Sequence, residues 1–157
     1  MKKYTPEWWT SLTPHQVGNA VEDLVEAVLK KWNSRQNFAW MRLPDTKSAR
    51  LNMLQANPAD YVYRCGKTSG FIEVKGLAHE YRLQKGNLSQ LPNLLKWSLA
   101  GNQDVVLVHH YVTGTWRAIH PNELGLGVPS WDLRFIDSFS TPEQALLSTG
   151  YFDGLST

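Results

Sequence analysis

The chain has 157 residues, of which 42% are hydrophobic, 19% charged and 11% aromatic. A chain of this size and composition is expected to form one domain, 1–157, that buries about two-thirds of its unfolded surface. Seven Trp, six Tyr and five Phe argue against intrinsic disorder, and a single cysteine excludes a disulfide framework. No apolar run approaches the ~20 residues that span a bilayer, and no signal peptide is recognisable. We therefore expect a cytoplasmic protein.

The net charge of +2 conceals an uneven distribution. Residues 1–29 carry a net charge of −2, and residues 97–157 carry −4. Residues 30–96 hold twelve basic and four acidic side chains, a net charge of +8. A segment this basic in a nearly neutral chain predicts a surface that binds a polyanion.

Hydrophobic periodicity predicts the order helix, strand, two-stranded hairpin, helix, strand, strand, helix. Thr13 is the expected N-cap of the first helix, with Pro14 at its first position and Gln16 as the reciprocal cap. The first helix is followed by a strand at 38–43, a basic connection with a short helix near 51–54, and hairpin strands at 61–65 and 71–75. A polar loop at 76–87, a helix at 88–100, a central strand at 105–112, a strand at 115–120 and a helix after Thr141 complete the chain. This order predicts an α/β fold with a mixed sheet flanked by helices.

The candidate chemistry lies on the predicted hairpin. Glu73 and Lys75 share one face of a strand because side chains alternate, whereas Ile72 and Val74 face the core. With a turn centred on residues 67 and 68, Asp60 would lie opposite Lys75 and diagonal to Glu73. A slip of two residues would still leave Asp60 beside Glu73. A surface hairpin with ordinary ion pairs is the alternative interpretation.

Two adjacent carboxylates repel each other unless a cation lies between them. Oxygen ligands on a rigid strand suit Mg²⁺, with Mn²⁺ as a substitute, and the Val74 carbonyl is a further candidate ligand. Such an ion would polarise a phosphate and acidify a water molecule. Lys75 would orient that water or stabilise the charge that develops on the phosphate.

Two segments, Asn57-Pro58-Ala59-Asp60 and Phe71-Ile72-Glu73-Val74-Lys75-Gly76, resemble the PD-(D/E)XK nuclease superfamily, and more narrowly the RecU-type Holliday junction resolvases. Leu83-Gln84 and Gln90 fall at the places where those resolvases have a Leu-Gln pair and a further Gln. The resemblance implies a restriction-endonuclease-like core at about 13–121. It also implies a Mg²⁺-dependent endonuclease that cuts four-way DNA as a homodimer in recombination or repair.

The superfamily also uses an acidic residue on its first helix, and Glu22, Asp23 and Glu26 compete for that role. At ~100° per residue, Glu22 falls at the edge of the apolar stripe and Glu26 falls nearly opposite the stripe, toward solvent. Glu22 is therefore favoured as a third metal ligand. The resemblance places Gln90 near the water or the phosphate.

Other residues have weaker assignments. DNA backbone contacts are expected from the basic residues around the site, which are Arg42, Lys47, Arg50, Arg64, Lys67, Arg82, Lys85 and Lys96. Trp8 and Trp9 are expected to pack on the core, with a dimer contact or base stacking as alternatives. Of His109 and His110, one is expected to be partly buried and the other exposed. Three alternative functions remain: a general, nicking or exonucleolytic DNA nuclease in replication or repair, a non-catalytic DNA-binding module, and a protein-interaction domain.

Overall fold

The computed structural model describes residues 1–44, 57–78 and 81–155. The helices are α1 (Pro6–Thr10), α2 (Pro14–Trp32), α3 (Leu91–Leu99) and α4 (Pro142–Leu147), with short 3₁₀ turns at Lys85–Asn87 and Pro121–Glu123. The strands are β1 (Phe38–Arg42), β2 (Tyr61–Cys65), β3 (Thr68–Leu77), β4 (Arg82–Gln84), β5 (Val105–His110), β6 (Thr115–Ile119) and β7 (Ser130–Asp132). The short helix expected near 51–54 lies outside the described residues.

Five strands form one mixed sheet in the order β1-β2-β3-β5-β6. β3 and β5 run parallel, and the other three neighbouring pairs are antiparallel. α2 and α4 contribute to the hydrophobic core on one face of this sheet. α3 and a small sheet of β4 and β7 cover the other face. The predicted α/β class, a mixed sheet flanked by helices, is confirmed.

α2 begins as the sequence predicts. The Thr13 side chain accepts from the Gln16 backbone N–H, and the Gln16 side chain accepts in return from the Thr13 N–H. The helix lies so close to β3 that a Cβ atom on Gly76 would be 2.8 Å from the Val21 side chain. This contact fixes α2 beside the strand that carries Glu73. No helix among the described residues has the length and apolar character that crossing a membrane requires.

The prediction of a loop at 76–87 is wrong, because parts of this segment form strands. β3 continues to Leu77, and Arg82–Gln84 forms β4, which pairs with β7. Leu83 is fully buried between two exposed polar residues. Because β4 contains one apolar residue, its alternation is too short to be recognised from the sequence.

The strand with the most apolar composition is not the middle one. All six residues of β5 are buried, but β3 occupies the centre of the sheet. Both faces of β5 are covered, so His109 and His110 are both buried, and the expectation that one is exposed is wrong. Burial lowers the pKa of each imidazole to about 4. Trp9 is 2% exposed in the core, as expected, and its ring stacks on Tyr111 at 5.3 Å.

Gly70→Ala is expected to lower the free energy of unfolding by about 3 kcal/mol, because overpacking forces backbone shifts. An added Cβ would lie 2.0 Å from the Gln103 carbonyl oxygen, at the point where the Gln103 N–H donates to Ser69 O. Gly86→Ala is the matched control, because its Cβ would meet nothing within 4 Å. Urea denaturation of both variants checks the difference. Equal midpoints would contradict the close approach.

Candidate metal and phosphate site

The β2–β3 hairpin brings Asp60 and Glu73 together. Its turn is Gly66–Lys67, one residue earlier than predicted, because Cys65 pairs with Thr68. Gly66 has φ +59°, as a two-residue hairpin turn favours at its first position. Tyr61 pairs with Ile72, so one further step places Asp60 opposite Glu73 and not opposite Lys75. The two carboxyl groups therefore share one face of the sheet.

Asp60 is held from both sides. Its carbonyl oxygen accepts from the Leu43 N–H at 2.8 Å, which extends the β1–β2 ladder by one step. Its carboxylate oxygen Oδ2 accepts from the Val74 N–H at 2.8 Å. The backbone of Asp60 is thus fixed by the residue after β1, and its side chain is fixed by β3. The carboxylate therefore has little conformational freedom.

Glu73 is 1% exposed, an unusual position for a carboxylate. Among the described residues, its oxygen Oε2 has no hydrogen-bond partner, and Oε1 lies 3.8 Å from the Lys75 ammonium. Burial raises the pKa of the Glu73 carboxyl group. A hydrogen bond with Asp60 and the negative charge of Asp60 raise this pKa further, whereas the positive charge of Lys75 lowers it. The carboxylate is therefore unfavourable here without an additional cation.

Gln90 reaches the same site from the other layer. It is the N-cap residue of α3, and its Oε1 is buried without a partner among the described residues. Gln90, Asp60 and Glu22 line an open cavity of about 700 Å³. A cavity of this volume accommodates a phosphate group with its solvent. The sequence pointed to Gln90 only through the family resemblance.

Besides Glu22, two polar side chains of α2 line this cavity and have no role assigned from the sequence. His15 and Asn19 lie on the first turns of α2, on the same wall as Glu22. The spacing of His15, Asn19 and Glu22 follows i, i+4 and i+7, which places all three on one helix face. That spacing, combined with Glu22, was the signal available in the sequence.

The first-helix acids are arranged differently from the prediction. Glu22 and Glu26 both face Arg42, whose guanidinium donates to Glu22 Oε2 at 2.6 Å and to Glu26 Oε2 at 2.9 Å. The Tyr61 hydroxyl also donates to Glu26, at 2.7 Å. The expectation that Glu26 points to solvent is wrong, because Arg42 and Tyr61 cover this flank of α2. Asp23 is exposed.

Whether the residues fit a divalent cation depends on their oxygen atoms. Within 1–44, 57–78 and 81–155, no group of three or more His, Cys, Asp or Glu side chains is arranged to hold a metal ion. Mg²⁺, however, is usually bound by one or two carboxylates with water completing its shell. The adjacent Asp60 and Glu73 carboxyl groups, with the unpartnered Glu73 Oε2, fit that pattern.

The basic residues predicted to contact DNA are spread over the molecule. Lys47 and Arg50 lie outside the described residues. Arg64 and Lys67 lie at the turn end of the hairpin, and Arg64 is about 13 Å along β2 from Asp60 at 3.3 Å per residue. The remaining three are exposed on β4, the following 3₁₀ turn and α3: Arg82, Lys85 and Lys96. Arg42 alone of the described set lines the cavity.

No protein-family model matches the sequence, and no curated protein is significantly similar to it. Among solved structures, the chain is similar to a Holliday junction resolvase from the hyperthermophilic archaeon Archaeoglobus fulgidus. The TM-score is 0.48 and the sequence identity is 17%, over 86% of this chain and 97% of the archaeal chain. A similarity at this level assigns no activity, so the candidate function depends on the geometry of the site.

Proposed function

We propose that this protein is a metal-dependent nuclease that hydrolyses phosphodiester bonds in DNA. One observation carries the proposal. Two buried acceptor oxygens, Glu73 Oε2 and Gln90 Oε1, have no partner in the described chain. Asp60 adjoins Glu73, and it lines the same cavity as Gln90. Orphaned buried oxygens are rare in folded proteins, and a cation with its water shell would satisfy both.

The roles of the residues follow from their chemistry. Asp60 and Glu73 would hold Mg²⁺, or Mn²⁺ in its place, with the Val74 carbonyl and Glu22 as further ligands. The ion would supply Lewis-acid polarisation of the phosphate and a more acidic water molecule. The Lys75 ammonium, 3.8 Å from Glu73, would stabilise negative charge that develops on the phosphate. Gln90 would orient the attacking water through its amide.

A narrower proposal is a Holliday junction resolvase that acts in recombination or repair. Its support is the resemblance of the Asp60 and Glu73-Val74-Lys75 arrangement, with Leu83-Gln84 and Gln90, to the RecU-type resolvases. The net charge of +8 over residues 30–96 suits a polyanion such as DNA. Symmetric cutting of two strands would require two copies of the site, and hence a homodimer.

The test uses three labelled DNA substrates: a four-way junction, a linear duplex of the same sequence, and a single strand. Each is incubated with the protein in Mg²⁺ and in chelator. Symmetric nicks in the junction alone, and only in Mg²⁺, are the expected result for a resolvase. Cleavage of all three substrates would support the nuclease and refute junction specificity. Binding without cleavage at any Mg²⁺ concentration would indicate a non-catalytic DNA-binding module and refute the proposal.

A further inference from the structure

Arg42 forms an ion-pair cluster at the wall of the candidate site. It ends β1 and pairs across the sheet with Tyr61, and its guanidinium lies over the Tyr61 ring at 5.8 Å. From there it donates to Glu22 at 2.6 Å and to Glu26 at 2.9 Å. The Arg42 side chain is 51% exposed, whereas those of Glu22 and Glu26 are 15% and 17% exposed. The cluster therefore has a solvent-accessible cation and two largely shielded anions.

The two acids of this cluster are not equivalent. Glu26 accepts a second hydrogen bond from the Tyr61 hydroxyl, so it would keep a partner if Arg42 moved. Within the described part of the chain, Arg42 is the hydrogen-bonding donor to the Glu22 carboxylate. Glu22, unlike Glu26, also lines the cavity with Asp60. Of these two acids, Glu22 is therefore the one that borders the cavity and that lacks the Tyr61 contact.

Two cations would compete for the Glu22 carboxylate. Arg42 holds it on the side of β1, and an ion bound at Asp60 and Glu73 would attract it from the side of the cavity. Glu22 cannot make a charge-assisted hydrogen bond with its full strength to Arg42 while it ligates an ion. An Arg42 released from Glu22 would be an exposed guanidinium at the cavity wall, with the fork geometry that binds a phosphate.

We propose that Arg42 is a positioning residue that competes with the divalent cation for Glu22 and, once displaced, binds a DNA backbone phosphate. This inference rests on the proposed function, because it takes Asp60 and Glu73 as the metal-binding pair. Metal binding and DNA binding then strengthen each other. A bound cation releases Arg42 for a phosphate, and a phosphate bound to Arg42 releases Glu22 for the cation. The Tyr61–Glu26 contact would keep the flank of α2 in place during the exchange.

The first test is a double-mutant cycle on Mg²⁺ affinity, measured by calorimetry on the protein without DNA. Arg42→Ala is expected to tighten Mg²⁺ binding about tenfold, a typical size for coupling between sites. In the Glu22→Gln background, the same substitution is expected to change the affinity less than twofold. Arg35→Ala, an exposed arginine in the turn before β1, is the matched control and is expected to leave the affinity unchanged.

Equal tightening in both backgrounds would show that Arg42 acts only as a nearby charge and would overturn the inference. No tightening in either background would overturn it as well. If Arg42→Ala unfolds at a markedly lower temperature than the wild type, Arg42→Gln is used in its place. If the wild type binds no Mg²⁺, or if binding does not depend on Asp60, the proposed function fails instead, so the two failures are distinguishable.

The second test measures affinity for a labelled DNA duplex in chelator, where no cleavage occurs. Glu22→Gln removes one of the two acidic partners of Arg42, leaving Glu26, and is expected to tighten DNA binding by about threefold to tenfold. In the Arg42→Ala background, Glu22→Gln is expected to change DNA affinity less than twofold. An equal gain in both backgrounds would mean that the phosphate does not bind the released guanidinium, and would overturn that half of the proposal.

Discussion

Asp60→Asn is expected to reduce DNA cleavage at least about a thousandfold, since the loss of a proposed metal ligand would remove several kcal/mol of transition-state stabilisation. The substitution preserves the shape of the side chain and an oxygen acceptor for the Val74 N–H, which the carboxylate binds at 2.8 Å in the wild type. The fold should therefore persist. What is lost is the negative charge beside Glu73, and with it the attraction for a divalent cation.

Two measurements check this expectation. Single-turnover cleavage in saturating Mg²⁺ reports the chemical step, and DNA affinity in chelator should be unchanged or tighter, because one repulsive charge is gone. Asp137→Asn is the matched control: Asp137 is exposed in the connection between β7 and α4, outside the cavity. An Asp60→Asn protein that retains a tenth of the wild-type rate would exclude Asp60 as an essential ligand.

Lys75→Met is expected to lower the cleavage rate at saturating substrate by about 10²- to 10³-fold, the usual effect of removing one preorganised donor from a transition state. Methionine retains the aliphatic stem but lacks the ammonium that lies 3.8 Å from Glu73 Oε1. Mg²⁺ affinity should stay the same or tighten, because a cation that competes for Glu73 has been removed.

The separation of kcat from KM distinguishes the possible roles of Lys75. A fall in kcat at constant KM supports stabilisation of the transition state. A raised KM with unchanged kcat would reassign Lys75 to binding of the DNA backbone. Lys30→Met is the matched control, because Lys30 is exposed near the C-terminal end of α2 and lines no part of the cavity.

Local sequence patterns determine much of the architecture of this protein. The capping box at Thr13 and the apolar stripe of α2 predict the long helix, because both depend only on neighbours within one turn. Alternation on β3 predicts that Glu73 and Lys75 share a face while Ile72 and Val74 face the α2 core. The helix predicted at 88–100 is confirmed as α3, although it begins three residues later than expected and has Pro92 in its first turn.

Other features depended on partners distant in the sequence. Glu26 was expected in solvent because its position on the helical wheel does not show that Arg42 and Tyr61, on two strands, cover it. Leu83 in β4 is buried because Trp131 in β7 pairs with it, 48 residues away. Composition identified β5 as a buried strand, but which strand takes the centre of a sheet depends on pairing, not on the apolar content of one strand.

The sequence by itself determined that Glu73 and Lys75 share one face of the hairpin strand, because strand periodicity alternates side chains irrespective of context. Only the tertiary structure decided the register that sets Asp60 opposite Glu73, the pairing of Arg42 with the helix acids, and the isolation of the Glu73 and Gln90 oxygens. Those features depend on where turns close and layers meet, and the free energy of such long-range packing is not encoded in any local pattern.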